Sequence, residues 1–524
     1  MGVWLRLALT WGVVSGVSIS TMATPDTLQR RNDNTNPFRR RALHKIAVLG
    51  DYLYMEGGET STYVDGQMQH DAPSVPSENT ISIPLDTSWS LSSTTNLTIP
   101  GHDPPPRNMF GLWADAKAGV LYRYGGEKSY NANVSLENQA LWKFAPNNGG
   151  GGLWSVERPQ NPEVFDGRPL GTRGRLRSAT ADSACILPVP GMMTYNATTK
   201  VWSKEEVVDP SSKEADSKGR FTTGEAQCVT GFGPNPIVVA LGGWYADFQT
   251  VSMYDTVKEK WFWQRAGGSV PRVRENYCAV GVRGPQGTFE IFIHGGTNSA
   301  DGTLSDTFVL SLPAFTWFKV DVNAPARMGH ACAVVGKRQM LISGGLAVQW
   351  DWKTNDEWVG ARKVLDMTAL EFRDGGYDAG AGAYEPAQVI KDWYYKGGMA
   401  NVEWASDDVK ALFNVNVDMN RTSVSPTLTP TPTPLFTPST SKSPSAGAIA
   451  GSVIGGVAFV LLVSAAAFLF LRRRLRQQQL RRQYRTTAEL TDKASPRSEL
   501  ETKERPRELV APAQVSGGMY EMPG

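Results

Sequence analysis

Residues 290–297 read EIFIHGGT, an apolar run that stops in a pair of glycines, Gly295 and Gly296, and the same ending recurs along the chain. It returns as YLYMEGGE with Gly57 and Gly58, VLYRYGGE with Gly125 and Gly126, IVVALGGW with Gly242 and Gly243, and MLISGGL with Gly344 and Gly345. The first glycines are 68, 117, 53 and 49 residues apart, so the long gap holds two units, one of which has lost its glycines. Its remnant is SACILPVPGMMTYNATTKVW, residues 183–202. Each unit then ends in a turn and a large aromatic: Trp89, Trp154, Trp202, Trp261, Trp317 and Phe372. In the third, fourth and sixth units Asn196, Asp255 and Asp366 stand six residues before the aromatic, where a side-chain oxygen caps the turn.

The chemistry of the repeat follows from these residues. Paired glycines after an apolar strand permit close backbone approach and conformations that a Cβ blocks, and the aromatic fills the wedge between neighbouring sheets. A sheet with two apolar faces cannot shield itself, so the units must stack radially and close into a ring. The pattern resembles the kelch repeat, whose units carry an apolar run, Gly-Gly and then aromatics. That resemblance implies an all-β fold, a six-bladed kelch-type β-propeller over roughly residues 46–372. The stretches RENYCAVGVRGPQGTFEIFIHGG, ARMGHACAVVGKRQMLISGG and VLDMTALEF are similar to the secreted or membrane-anchored kelch proteins of filamentous fungi.

Outside the repeats, two apolar segments fix a topology. Arg6 precedes Leu7 to Val17, and Thr21 and Ala23 suit cleavage after Ala23, so residues 1–23 read as a signal peptide and 24–45 as an N-terminal segment. No charge interrupts the chain between Lys442 and Arg472, and 446–471 is long enough for one transmembrane α-helix. Arg472, Arg473, Arg474 and Arg476 follow it, which places the C-terminus inside and the 46–421 ectodomain outside, a single-pass type I protein of the plasma membrane. Gly447, Gly451 and Gly455 form a GxxxG face that would let a second copy pack as a homodimer. Residues 422–445, with 13 Ser/Thr and 6 Pro, read as a disordered stalk, and 472–524 as a basic disordered cytoplasmic tail. The sequons at Asn96, Asn133, Asn196 and Asn420 all fall on the outer side.

Charge and chemistry narrow the function. The tail holds 12 basic and 7 acidic residues; without it, Arg6 and Lys442, 39 basic face 44 acidic residues, which excludes a nucleic-acid footprint on the ectodomain. There is no P-loop, GxSxG elbow or HExxH helix. Kelch propellers include copper-radical oxidases resembling galactose oxidase, and that resemblance implies two histidines and two tyrosines on one copper, one tyrosine joined to a cysteine. Of five histidines only His294 and His330 lie in well-formed repeats, with no convergence evident, so no cofactor, metal or catalytic residue is assigned. Cys185, Cys228, Cys278 and Cys332 occupy matching places on first strands, too far apart to bridge, and are expected as four buried free thiols; a register shift bringing Cys278 to Cys332 is the alternative.

Arg107, Arg272 and Arg327 precede first strands and would ring one mouth of the channel, open to a carboxylate or phosphate ligand or paired with acids of neighbouring blades. The insertions 59–80 and 346–363 would shape that face. After the repeats, 385–395 and 406–413 read as short helices or a closing strand, the second with Ser406 as N-cap. The expected function is non-catalytic, binding of a protein or glycan partner at the cell surface. The alternatives are a copper carbohydrate oxidase and a wall-to-membrane sensor signalling through the tail.

Overall fold

Each Gly-Gly run is the second strand of an antiparallel meander of four strands in chain order, to which the first sheet adds Arg30–Arg31 beside its fourth strand and the fifth adds Gly267–Gly268 in parallel beside its own. Six such meanders are formed among the described residues, with first strands at Lys45–Leu49, Gly111–Asp115, Ala179–Thr180, Glu225–Val229, Cys278–Arg283 and Ala331–Val335. The second strands Ile237–Leu241, Phe289–His294 and Gln339–Ser343 are buried at every position, so both of their faces are covered. That is why they read as continuous apolar runs rather than alternating ones. The computed structural model describes residues 30–31 and 40–421 except 65–66, 70–71, 94–95, 101–102, 131–139, 163–178, 181–182, 187–191, 206–223, 234, 244–246 and 355. The signal-peptide, stalk, membrane-span and tail segments, the GxxxG face and Asn133 lie outside the described residues. Among the described residues no helix is long and apolar enough to cross a membrane.

First strands of successive sheets are neighbours from the first to the third sheet and from the fourth to the sixth, and the sixth lies against the first. The glycine pairs explain how. The second glycine of a pair donates its N–H to the carbonyl of an arginine that precedes the next first strand: Gly58 to Arg107, Gly243 to Arg274, Gly296 to Arg327 and Gly345 to Arg41, at 2.8–3.3 Å. A Cβ on Gly57 would sit 2.8 Å from the Arg107 carbonyl oxygen, and one on Gly344 would strike that of Arg41. The pair is thus a seam between sheets, and Gly345 to Arg41 joins the sixth sheet to the first. A second line of bonds runs alongside it: Asn276 accepts from Gly329, Gly329 from Leu43 and Leu43 from Met109, at 2.7–3.0 Å. All four of these residues have positive φ.

The terminal aromatics pack back onto the preceding sheet. Trp154 Nε1 donates to Thr80 at 2.8 Å, Trp202 lies 4.8 Å from Tyr124, Trp317 Nε1 donates to the Phe248 carbonyl at 2.8 Å, and Phe372 lies 6.1 Å from His294. Asn196, Asp255 and Asp366 each accept two backbone N–H groups in their turns, as the spacing predicts. Trp89 departs from the pattern. The fourth strand of the first sheet is Asn96–Pro100, and Trp89 lies in the connection before it, bridged to Tyr377 by two backbone bonds of 3.0 and 3.1 Å. Trp89 therefore serves the junction of first and last sheets, its ring 5.3 Å from that of Tyr377.

The segment after the sixth sheet adds no strand. It forms α1 (Gln388–Tyr395) and α2 (Asp407–Leu412), the latter capped by Ser406 through a 3.2 Å bond from the Val409 N–H. Ile390 and Tyr394 of α1 and Val409 and Leu412 of α2 enter the cores of the later sheets. Tyr394 reaches Ser311 at 3.1 Å, and Ser311 donates to the wholly buried Glu290 at 2.9 Å. Burial pushes the Glu290 carboxyl up to about 7. The described chain ends at Arg421, whose carbonyl accepts from Gln286 at 2.7 Å, in the turn opposite the Gly-Gly end of the fifth sheet.

The cysteines correct two expectations. Cys278 and Cys332 form a disulfide, with Cα atoms 5.7 Å apart, so they are not free thiols. They do not occupy matching places: Cys278 pairs with His294, one residue before its glycines, whereas Cys332 pairs with Ile342, two residues before. A one-residue offset turns a side chain to the opposite face of its sheet, so these two point at each other across adjacent sheets. Cys228 lies three residues beyond the Cys278 position on its own first strand, and Cys185 is on the second strand of its sheet rather than the first.

Candidate binding face

Five first strands surround a cavity of about 300 Å³ whose wall includes Ile46, Trp113, Gln227, Val280 and Val334. Most of the residues these strands give to it are small or aliphatic, and its exposed lining is about evenly polar and apolar. At the Gly-Gly end Lys45 Nζ of the first sheet approaches Glu225 Oε1 of the fourth at 3.4 Å, with both side chains buried. Two opposite charges facing each other there hold down the desolvation penalty each would carry alone.

The loops that follow the glycine pairs gather on this same end. Ala42, Leu43, Met109, Met328 and Leu346 make a small apolar cluster with Trp352 against it. Above them Tyr130, Val348 and Trp350 are 53%, 55% and 41% exposed, and the Tyr130 and Trp350 rings meet edge-on at 6.1 Å. The support beneath is buried and polar. Glu59 accepts from Asn108 at 2.7 Å and from the Tyr130 N–H at 2.7 Å, and Ser61 donates to the Trp352 carbonyl at 3.1 Å. Arg327 forks onto Asp356 at 2.8 and 3.0 Å and lies 4.0 Å from the Trp358 ring centre. The insertions 59–80 and 346–363 therefore meet here, and exposed aromatics on a fixed polar base are the composition of a recognition surface.

The three arginines expected at one mouth separate. Arg327 is wholly buried on Asp356 and Trp358, and Arg107 is buried with its carbonyl in the sheet seam. Arg272 is exposed and pairs with Asp301; the residue equivalent to Arg107 and Arg327 is Arg274, which forks onto Asp306 and whose carbonyl takes the Gly243 bond. Counting from the preceding proline misplaced it by two residues. Burial also lowers Arg41 and Arg123 to about 10, against the opposing pull of Glu56, which Arg123 meets at 2.6 Å. Both stay charged at neutral pH.

His294 and His330 do converge: their rings are 5.5 Å apart and His330 Nε2 lies 3.1 Å from the His294 carbonyl. His294 ends the second strand of the fifth sheet and His330 stands just before the first strand of the sixth, an adjacency that spacing did not reveal. Burial depresses His294 to about 4, with Arg327 and Arg274 adding to the shift and Asp306 opposing it. Cys278, His330 and Cys332 hold potential ligand atoms within 4.8 Å of one another. The group does not fit a copper-radical centre, since both cysteines are joined to each other and the other rings against His294 are Trp358 and Phe372, not tyrosines. Of the sequons, Asn196 caps an exposed turn, Asn420 receives the Tyr395 hydroxyl at 3.2 Å, and Asn96 lines a cleft on the first sheet.

No family model matches the chain. A kelch repeat-containing protein of Arthroderma benhamiae is 23% identical over 442 residues, covering 70% of this chain and 64% of that protein. Adagio protein 3 of Arabidopsis thaliana is 34% identical over 86 residues, 16% of this chain and 13% of that protein. The chain thus spans just under two thirds of the first relative's length and a small part of the second's. The Gly-Gly units resemble kelch repeats, and the likeness to a fungal kelch repeat-containing protein extends over most of the chain.

Proposed function

We propose that the kelch repeats of this chain close as a six-bladed propeller, displayed outside the cell, that binds a protein or glycan partner through the Gly-Gly end and carries out no catalysis. Closure is supported by the bonds from Gly345 to Arg41 and from Leu43 to Gly329, which join the last sheet to the first. The observation that carries the binding reading is the exposed Tyr130 and Trp350 pair, held above the buried Glu59 and Arg327 networks. Aromatic side chains present large contact area with little rotamer entropy to lose, and they stack on the apolar faces of sugars as readily as on protein side chains. The topology rests on the sequence: the 1–23 signal, the 446–471 span followed by arginines, and sequons only on the outer side. Anchorage as a single-pass glycoprotein of the plasma membrane, with pairing through Gly447, Gly451 and Gly455, belongs to the same proposal.

The test is a glycan array and a secreted-protein binding screen with full-length protein in detergent. Any partner found should lose affinity at least about tenfold, roughly 1.4 kcal/mol, in Trp350→Ala or Tyr130→Ala while the melting temperature stays within a degree or two. Undiminished binding by the double variant would remove this face from the reading.

A further inference from the structure

We propose that Cys278, Cys332 and His330 form a zinc site that alternates with the disulfide. The oxidised chain staples its fifth and sixth sheets with a sulfur–sulfur bond, and the reduced chain staples the same seam with Zn²⁺. This stands apart from the partner-binding reading above and does not depend on it.

Register brings the group together. Cys278 opens its strand directly opposite His294, so both side chains leave the same face of the fifth sheet. Cys332 points back at that face from the first strand of the sixth, with the two Cα atoms 5.7 Å apart. One ring nitrogen of His330 and the two sulfurs all lie within 4.8 Å of one another. Around a tetrahedral zinc, with bonds of about 2.3 Å to sulfur and 2.0–2.1 Å to nitrogen, ligand atoms stand about 3.5–3.8 Å apart. The nitrogen therefore need close in by only about 1 Å. His330 Nε2 lies 3.1 Å from the His294 carbonyl, which can only accept, so Nε2 carries the proton and the lone pair stays on Nδ1. A carbonyl that fixes the tautomer in this way is the usual support of a metal-bound imidazole. His294 offers the fourth donor: it is wholly buried, its ring is 5.5 Å from that of His330, and Thr307 engages its Nδ1 at 2.9 Å. Among the described residues its Nε2 has no hydrogen-bond partner.

Charge and burial suit the ion. Two thiolates cancel the charge of Zn²⁺, so the set of Cys278, Cys332, His330 and His294, every member buried, stays neutral. The nearby arginines Arg274 and Arg327 are already forked onto Asp306 and Asp356 and leave no net charge to oppose it. Soft sulfur with imidazole in a tetrahedral set selects zinc over hard cations. A site this enclosed fills as the reduced chain folds around the ion, two thiol protons leaving as the two Zn–S bonds form. Oxidation reverses it by exchange with an external disulfide: both Zn–S bonds break, the Cys278–Cys332 bond forms, and Zn²⁺ is released. The external disulfide accepts the two electrons, takes up two protons and leaves as two thiols.

The full chain carrying Cys185→Ser and Cys228→Ser, which leaves only the pair, would be made by cell-free synthesis in detergent with zinc, once with a phosphine reductant and once with glutathione disulfide. Metal content after desalting should be about one zinc per reduced chain and below about a tenth in the oxidised one. Adding glutathione disulfide to the loaded protein should release one zinc for each disulfide formed. Competition with a chromophoric chelator should show affinity falling about tenfold or more in His330→Ala and in His294→Ala. His330→Cys should recover it, because a third thiolate restores the ligand but not the bond to the His294 carbonyl that a merely structural role would need. Less than about a tenth of a zinc in the reduced chain, folded or not, overturns the proposal. So does zinc retained by Cys278→Ala with Cys332→Ala, or His330→Cys binding no better than His330→Ala.

Discussion

Replacing Gly344 by alanine tests whether the sixth sheet is latched to the first. Gly344 has φ +67°, and an alanine Cβ would strike the Arg41 carbonyl and lie 2.7 Å from His44 Cε1. Gly302 is its control: φ is +72°, and a Cβ there meets nothing within 4 Å. Both variants share the left-handed backbone penalty of an alanine, about 1–2 kcal/mol. Only Gly344→Ala also forces apart the backbones on either side of the 2.8 Å bond from the Gly345 N–H to Arg41, leaving buried groups unpaired for about 1–3 kcal/mol more. The expected totals are about 2–5 kcal/mol for Gly344→Ala and about 1–2 kcal/mol for Gly302→Ala. A unit of this size moves by only about 2 °C per kcal/mol, so urea midpoints read the difference better than melting temperatures. Limited proteolysis should also cut Gly344→Ala first. Equal midpoints for the two variants would show that no backbone contact closes the circuit at this point, and the reasoning for a ring would fail.

Non-reducing peptide mapping should recover Cys278 linked to Cys332. Cys278→Ser with Cys332→Ser should lose up to about 4 kcal/mol, the loop-closure entropy of a 54-residue separation; an unchanged unfolding midpoint would deny the bridge that role. Glu290→Gln should flatten one limb of the stability–pH curve. Because the folded pKa, about 7, is raised above its ordinary 4.5, the stabilising contribution is complete below pH 4.5 and is lost as pH rises through 7, about 3 kcal/mol in all. Denaturation midpoints of variant and wild type at pH 5 and 8 would decide it, and parallel curves would count against a buried, protonated carboxyl. His294→Gln acts on the other limb: its folded pKa, about 4, is depressed below 6.5, so its contribution is complete above 6.5 and lost as pH falls through 4. Arg327→Ala should cost about 3–5 kcal/mol, having removed a buried partner of Asp356, and should expose 346–358 to proteases; an unaltered digestion pattern there would contradict its anchoring role.

The repeat was legible because its physical demands are local. Gly57, Gly295 and Gly344 must be glycine for one shared reason, the carbonyl of an arginine that precedes the next first strand, and Asn196, Asp255 and Asp366 cap turns within three residues of themselves. What stayed hidden depends on register between sheets. A single residue of offset decides whether Cys278 and Cys332 meet, and the convergence of His294 on His330 arises only when two sheets are laid together. Arg274 was passed over for Arg272 because the motif counts from the first strand, not from the proline before it. Of the exposed pair, Tyr130 lies in the loop after Gly125 and Gly126 and Trp350 in the 346–363 insertion; the tryptophan-rich stretch QWDWKTNDEW, residues 349–358, was the one local hint of it. The helix start at Ser406 was readable since a cap is written in four consecutive residues.

The bond between Gln286 and Arg421 has a mechanical consequence. Gln286 donates to the Arg421 carbonyl and its own carbonyl accepts from the Asp418 N–H, while the aromatic loops lie beyond the far ends of the same strands. Traction applied through whatever follows Arg421 would therefore enter the fifth sheet from underneath and travel along Cys278–Arg283. At the other end of that strand it reaches a covalent rivet into the sixth sheet, so the load is shared before any turn of the upper surface is disturbed.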